Sequence, residues 1–337
     1  MSPMFHAIDR GIYNGVTYLV IAMLYYLRRV CFRVFTTGLF ILMVVGMMPS
    51  PAEVKLASLF GDHMVLQRDR EVCIWGTGDS KELVKVSLAT QSISAMAGVD
   101  GRWEAYLKPT PAGGPFQLGV SSGKLVVTVN DVLFGDVWLC SGQSNMQMPL
   151  KDCAASEQEA TPADYPSIRL CCVAKEGKQK VQTEANIKWQ LCTPESARTF
   201  SAVGYFFVRE LARDPALAKV PIGVIDSSFG GTTCEGWIPQ TALASFDSKD
   251  LHDSMFGLKP SMLYNAMIAP LGGSPIKGVV WYQGESNSGH PDTYPRLLAT
   301  MIAEWRKQFG TPALPFFWFN CRITRASGMG FSSTLLE

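Results

Sequence analysis

This chain carries little charge and no excess of either sign. Asp, Glu, Lys and Arg make up 18% of its 337 residues, and the formal net charge is +1. That balance gives no electrostatic case for binding nucleic acid or an anionic membrane surface. Nine cysteines are present but no C-x-x-C pair, so zinc ribbons and thioredoxin-like redox motifs have no support. The four histidines form no cluster with metal-ligand spacing. A G-x-x-x-x-G-K-[ST] phosphate loop is missing, no internal repeat is visible, and no apolar run spans a bilayer comfortably. What is abundant is apolar residues, 47% of the chain, which fits a globular protein with a substantial core. The length suits one large domain or two ordinary ones.

Near the N-terminus, Arg28, Arg29 and Arg33 precede the apolar run Val34–Met48, followed by Pro49-Ser50-Pro51-Ala52. A basic segment, a short apolar core and small residues read as a secretory signal, and predict a periplasmic or extracellular protein. Residues 1–52 are set aside as this region. A second apolar stretch, Val16–Tyr26, lies upstream. It predicts that translation begins near Met23; the alternative is a helical membrane hairpin over 1–48. Export permits disulfides, but the spacing assigns no pairing. The adjacent Cys171-Cys172 read as buried small hydrophobes.

From residue 53 to 130 short apolar runs alternate with Gly, Asp and Pro. Leu83–Leu88 alternates apolar and polar residues as a half-buried strand does, Asp100-Gly101 suits a hairpin turn, and Leu125–Val129 reads as a last strand. These features predict a small all-β sandwich domain over 53–130. From residue 131 to 337 strands alternate with helices. Strands are expected at Val132–Cys140, Ile168–Val173, Val220–Ser227, Ile276–Tyr282 and Leu314–Phe319, and helices over Phe200–Leu211 and Tyr294–Phe309. The pattern predicts an α/β fold: a parallel sheet with helices on both faces.

Three of these strands end in small and polar residues, and in parallel sheets the ligand site lies beyond the carboxyl ends. The first end is Gly142-Gln143-Ser144-Asn145-Met146. A serine at a strand-to-helix turn is exposed and has backbone N–H groups near it, which suits a nucleophile needing an oxyanion hole. It is not the G-x-S-x-G elbow, because Met146 stands two residues on. The plain alternative is a helix cap. The second is Ser227–Thr232, whose Gly230-Gly231 pair lets backbone approach a ligand or simply makes a tight turn. The third is Gln283-Gly284-Glu285-Ser286-Asn287 after Trp281-Tyr282. Gln and Asn amides can donate to an oxyanion, Glu285 can serve as acid, base or structural acceptor, and the aromatic pair suggests a sugar-facing wall.

Together these segments resemble the sialate O-acetylesterase family of the SGNH-hydrolase superfamily. The matching runs are Phe134–Met148, Pro221–Ile225, Ser227–Thr232, Leu263–Pro270 and Lys277–Asn287, with Met64–Gln67 similar to the family's N-terminal β-domain. The resemblance covers roughly 55–320 and implies an SGNH-type, flavodoxin-like sheet. It implies Ser144 as nucleophile, backbone N–H groups of Ser144 and of Gly230 or Gly231 around the oxyanion, Gln283 beside them, and Glu285 and Asn287 shaping the site. The implied reaction removes O-acetyl groups from sialic acid or a related acetylated sugar through an acyl-enzyme. No cofactor, no metal, no nucleic-acid partner and no lasting membrane anchor are implied. Related families with the Gly-Gln-Ser-Asn block include acetylxylan esterases.

In this family the base histidine comes late, in an Asp-x-x-His-type segment well past the third block. Here the histidines are His6, His63, His252 and His290. His290 follows Asn287 closely but does not match the family's position. Residues 320–337 do not resemble the family's continuation, so a shifted or shortened reading frame is expected, along with an inactive chain or a non-catalytic carbohydrate-binding protein. Resequencing the locus tests the frame: an intact frame with the same stop refutes the shift. N-terminal sequencing of the exported protein is expected to find no residue before Met23; finding one refutes the late start.

Overall fold

The computed structural model describes residues 23–29, 54–154, 156–323 and 329–336, with backbone only from residue 320 onward. The expected signal core Val34–Met48 and the residues Pro49–Ala52 lie outside them, as do His6 and the segment 1–22. Contacts divide the chain into Met1–Ala52 and Glu53–Glu337. In the first unit residues 23–29 form a helix, and among the described residues no helix is long and apolar enough to cross a membrane.

The second unit opens with short strands: β1 (Lys55–Leu56), β2 (Val65–Gln67), β3 (Val72–Thr77), β4 (Leu83–Leu88), β5 (Gln91–Met96), β6 (Arg102–Leu107) and β7 (Gly113–Ser122). β4 shows why. Val84, Val86 and Leu88 point inward while Leu83, Lys85 and Ser87 face out, the two-residue period of a half-buried strand. The Asp100-Gly101 turn leads into β6, with Gly101 at φ +79°, a conformation that costs glycine little. β1, β3 and β6 form one sheet, while β4, β5 and β7 join a larger one. The inward residues of both sheets share one hydrophobic core, among them Val72, Ile74, Val86, Leu88, Trp103 and Leu107.

The two apolar runs expected as separate strands around residue 130 are one, β8 (Leu125–Gly142). Its first half is partly exposed and pairs antiparallel with β7; from Val132 it is almost wholly buried. Between them Asp131 stands at φ +54° and accepts Arg169 Nη2 at 3.0 Å and His63 Nδ1 at 2.7 Å. The expected boundary at 130/131 therefore falls inside a continuous strand.

β8 then becomes the middle of the α/β part. β9 (Tyr165–Val173), β11 (Ile222–Ser228), β8, β12 (Gly278–Tyr282) and β13 (Phe316–Ile323) lie side by side and parallel, with β10 (Ile187–Cys192) and β14 (Met329–Leu336) added antiparallel at the two edges. In chain order the parallel strands run 2-3-1-4-5, whereas flavodoxin-like sheets run 2-1-3-4-5. The first strand thus has the third and fourth on its flanks.

Alternation sorts the side chains to two faces. Trp138, Cys140, Val224 and Val280 pack with Met146, Tyr205 and Val208, under the helix α2 (Ala202–Arg213). Leu139, Ile225, Val279 and Trp281 pack under the helix α3 (Tyr294–Gln308). α3 buries Leu297, Leu298, Met301, Ile302 and Trp305 on one stripe. Each such side chain contributes about 1.5–3 kcal/mol, so the stripe outweighs helix propensity, which is worth less than about 1 kcal/mol per residue.

Asp226 of β11 is level with Cys140 on β8 and Cys172 on β9. Desolvation pushes its carboxyl up to about 7, against the hydrogen bond from Ser228 and the charge of Lys175. The folded chain keeps this proton at pH values where the unfolded chain has lost it. The group's stabilising contribution is therefore complete below the ordinary carboxylate range and fades as pH rises through about 7. Thermal unfolding from pH 4 to 8 is expected to show that decline, and Asp226→Asn is expected to flatten it.

Candidate active site

Gly142 ends β8 at φ +140°, and a Cβ there would stand 2.1 Å from the Tyr282 carbonyl oxygen of β12. Only glycine allows so close an approach. The next N–H, that of Gln143, donates to Tyr282 O at 3.0 Å, and Gly142 O accepts the N–H of Phe229 at 3.0 Å. The Gly142–Gln143 peptide group thereby ties the ends of β8, β11 and β12. The chain then turns into a single helical turn, α1 (Ser144–Gln147), which carries Ser144 exposed at its first position. Ser144 is not a cap: the capping position is Gln143, which makes no side-chain cap bond.

Gly230 lies directly against Ser144, its built Cβ position 3.4 Å from Ser144 Cβ. Its N–H donates to Gln147 Oε1 at 2.6 Å, so in this arrangement the glutamine holds the donor that the oxyanion would use. Gly231, at φ +73°, is covered by the Met255 side chain, and its carbonyl accepts Met255 N–H at 2.9 Å. Phe229 stacks on the exposed Phe256 of the same loop.

Gln283 and Asn287 are buried behind this loop rather than in it. Gln283 Nε2 donates to Thr232 O at 3.0 Å and to Asn287 Oδ1 at 2.7 Å. Asn287 Oδ1 also accepts Cys234 N–H at 2.9 Å, and Asn287 Nδ2 donates to Glu235 Oε2 at 2.8 Å. Glu235 is fully buried, and its other oxygen accepts His252 N–H at 3.2 Å and faces His252 Nδ1 at 3.3 Å. His290 stacks on His252, ring centroids 3.4 Å apart. Neither imidazole hydrogen-bonds Ser144 among the described residues. His63 is engaged elsewhere, with Asp131.

Glu285 accepts Asn145 Nδ2, joining the third block to the serine's neighbour. Gln143 Oε1 accepts Ser286 N–H at 3.2 Å and reinforces the same join. Two buried acceptors on the 283–287 loop, Gln283 Oε1 and Glu285 Oε2, have no donor among the described residues. One expectation is corrected. Trp281 is fully buried and makes no sugar-facing wall. Strand alternation turns it under α3, where it packs edge-to-face on Trp237 and Trp305. Cysteine nucleophiles are disfavoured, since burial pushes the thiols of Cys73 to about 11 and of Cys172 and Cys192 to about 12.

Sequence reasoning missed Glu235 and Gln147, and named His252 without a role. Gln147 lay within the first matching run, three residues past the serine. Glu235 follows Thr232 by three residues, but nothing local marks it as buried. The link from His252 across 17 residues to a carboxylate exists only in three dimensions.

The sequence profile described as carbohydrate esterase, sialic acid-specific acetylesterase, matches residues 134–329. The sialate O-acetylesterase of Homo sapiens is 34% identical over 281 residues, 76% of this chain and 53% of that one. The Rattus norvegicus protein of the same name is 31% identical over 327 residues, 81% of this chain and 60% of that one. A crystal structure of a carbohydrate acetylesterase from Xanthomonas citri superimposes with a TM-score of 0.72 at 36% identity, covering 79% of this chain and 59% of that one. The chain therefore spans between half and two thirds of the length of these proteins.

Asn287→Ala strands the Cys234 N–H, one Gln283 donor and one Glu235 oxygen. Denaturant unfolding is expected to show a loss of about 2–4 kcal/mol, as for buried groups left unpaired. A loss within experimental error would mean that water replaces the amide.

Proposed function

The chain belongs to the sialic acid-specific acetylesterase family of carbohydrate esterases, and on that premise we propose that it is a serine esterase. Its substrates are O-acetyl groups on sialic acid or a related acetylated sugar. The observation that carries this reading is Ser144, exposed at the first turn of α1 with Gly230 packed against it. In the reaction Ser144 Oγ attacks the acetyl carbonyl carbon. The serine proton passes to the departing sugar oxygen, which leaves as the alcohol, and water then releases acetate from the acyl-enzyme and restores the serine hydroxyl. The N–H groups at the start of α1 have no carbonyls one turn back, which supports a role as oxyanion donors. The Gly230 N–H joins them once Gln147 turns away. The unpartnered acceptors Gln283 Oε1 and Glu285 Oε2 suit a ligand rich in hydroxyl donors. Phe256 offers an exposed apolar face beside the same loop.

We further propose that residues 53–130 form a β-sandwich domain and 131–337 the SGNH-hydrolase domain, with β8 running through both, and that the protein works in the periplasm or outside the cell. The shared core of the two β-sheets supports the first, and the basic and apolar pattern before residue 49 the last.

The test is hydrolysis of p-nitrophenyl acetate, an O-acetylated sialic acid and acetylated xylan by this chain and by Ser144→Ala. The substitution is expected to abolish the turnover the parent shows, and turnover by the parent means that a base acts within these residues, with His290 the first suspect. A folded parent chain that binds these sugars without turning them over would replace the esterase with a carbohydrate-binding protein. Turnover restricted to xylan would move the substrate to plant polysaccharide.

A further inference from the structure

A second cavity of about 520 Å³ lies away from Ser144. That is far more than a packing void and falls within the size range of ligand sites. Its floor is the outer face of the small sheet: Cys73, Trp75 and Thr77 on β3, paired with Tyr106, Glu104 and Arg102 on β6. Strand alternation points these six the same way, opposite to the buried Ile74, Trp103 and Ala105. The walls include the loop 181–184, Pro239, Thr241, Tyr264, the segment around Pro270 and Gly272, and Gln308. The last two precede β12 and β13, whereas Ser144 follows the opposite, carboxyl end of the parallel strands. The cavity is thus separate from the candidate active site.

The lining selects a ligand class. Tyr106 is half exposed, giving an aromatic face outside the core, while Trp75 is partly exposed and is anchored against the core by Phe60. Tyr106 Oη donates to Glu104 Oε2 at 2.6 Å, which fixes the ring and leaves its face open. Charged side chains in the lining are Arg102, Glu104 and Glu184, two acids to one base, which disfavours phosphates and other polyanions. Apolar surface broken by these polar groups does not suit an acyl chain. A peptide adding a strand would use the edge of β6, not the face that lines the cavity. Flat apolar faces interleaved with carboxylate, guanidinium and hydroxyl groups match the apolar faces and hydroxyl rims of sugar rings.

We propose that this cavity is a second carbohydrate site, one that binds a neutral oligosaccharide without hydrolysing it. It does not depend on the esterase reading, because its readout is binding.

The experiment is saturation-transfer NMR and calorimetry on the full chain with maltotriose, chitotriose and N-acetyllactosamine as probes, and sialyllactose as an anionic comparison. At least one neutral probe is expected to bind with a millimolar Kd. Tyr106→Ala should weaken it at least about fivefold, the scale of a lost aromatic contact, and Arg102→Ala should also weaken it. Ser144→Ala should leave it unchanged. Both cavity variants alter exposed side chains, so circular dichroism should match the parent. Failure of all three neutral probes overturns the proposal. So does binding that is undiminished in both cavity variants, or a preference for sialyllactose.

Discussion

The close contact between Gly142 and the end of β12 is the constraint on which the site depends. With a side chain at residue 142, β8 and β12 would have to part, since the built Cβ position overlaps the Tyr282 carbonyl. Because they do not part, the Gln143 N–H and Gly142 carbonyl bond the strands on either side, and the turn that follows has one direction open to it. Ser144 is exposed at that turn as a consequence of backbone geometry. The strand order contributes equally. With β8 flanked by β11 and β12, the loops after all three meet over one point, and Gly230 and Glu285 are brought to α1 without any of them being near in sequence.

Beneath that point the loops are joined by a buried polar chain running from Gln283 through Asn287 and Glu235 to His252. A fully buried carboxylate is costly unless its oxygens are satisfied, and here an amide, a backbone N–H and an imidazole satisfy them. The network fixes the floor under the Gly230-Gly231 loop. An aromatic cluster backs it: Trp237, Trp281 and Trp305 meet edge-to-face, and Trp305 Nε1 donates to Trp237 O at 3.0 Å. That bond couples α3 to the segment carrying Glu235, so helix packing and site geometry are one problem.

The helices and strands were legible where one physical term dominated. The apolar stripe of α3 marked Tyr294–Gln308 almost to the residue, and β4 was plain from its alternation. Legibility failed where a segment's role depends on distant partners. β8 looked like two strands because the all-β pattern gives way to strand–helix alternation at residue 131; Arg169 and His63 hold Asp131 in an unusual conformation inside the continuous strand. Trp281 looked like a ligand surface because an aromatic beside a polar loop often is one, and only the position of α3 shows that it is covered.

The sequence by itself determined the α/β class, the three polar strand ends and the identity of Ser144 as the serine to test. Periodicity, glycine placement and ordered motifs are local properties that survive without coordinates. The tertiary structure alone decided the strand order, the capture of the Gly230 N–H by Gln147, and the pairing of Glu235 with His252. It also decided that the outer face of β3 and β6 borders a cavity. Each of these rests on contacts between residues far apart in the chain, and packing and burial, which no local pattern encodes, set such contacts.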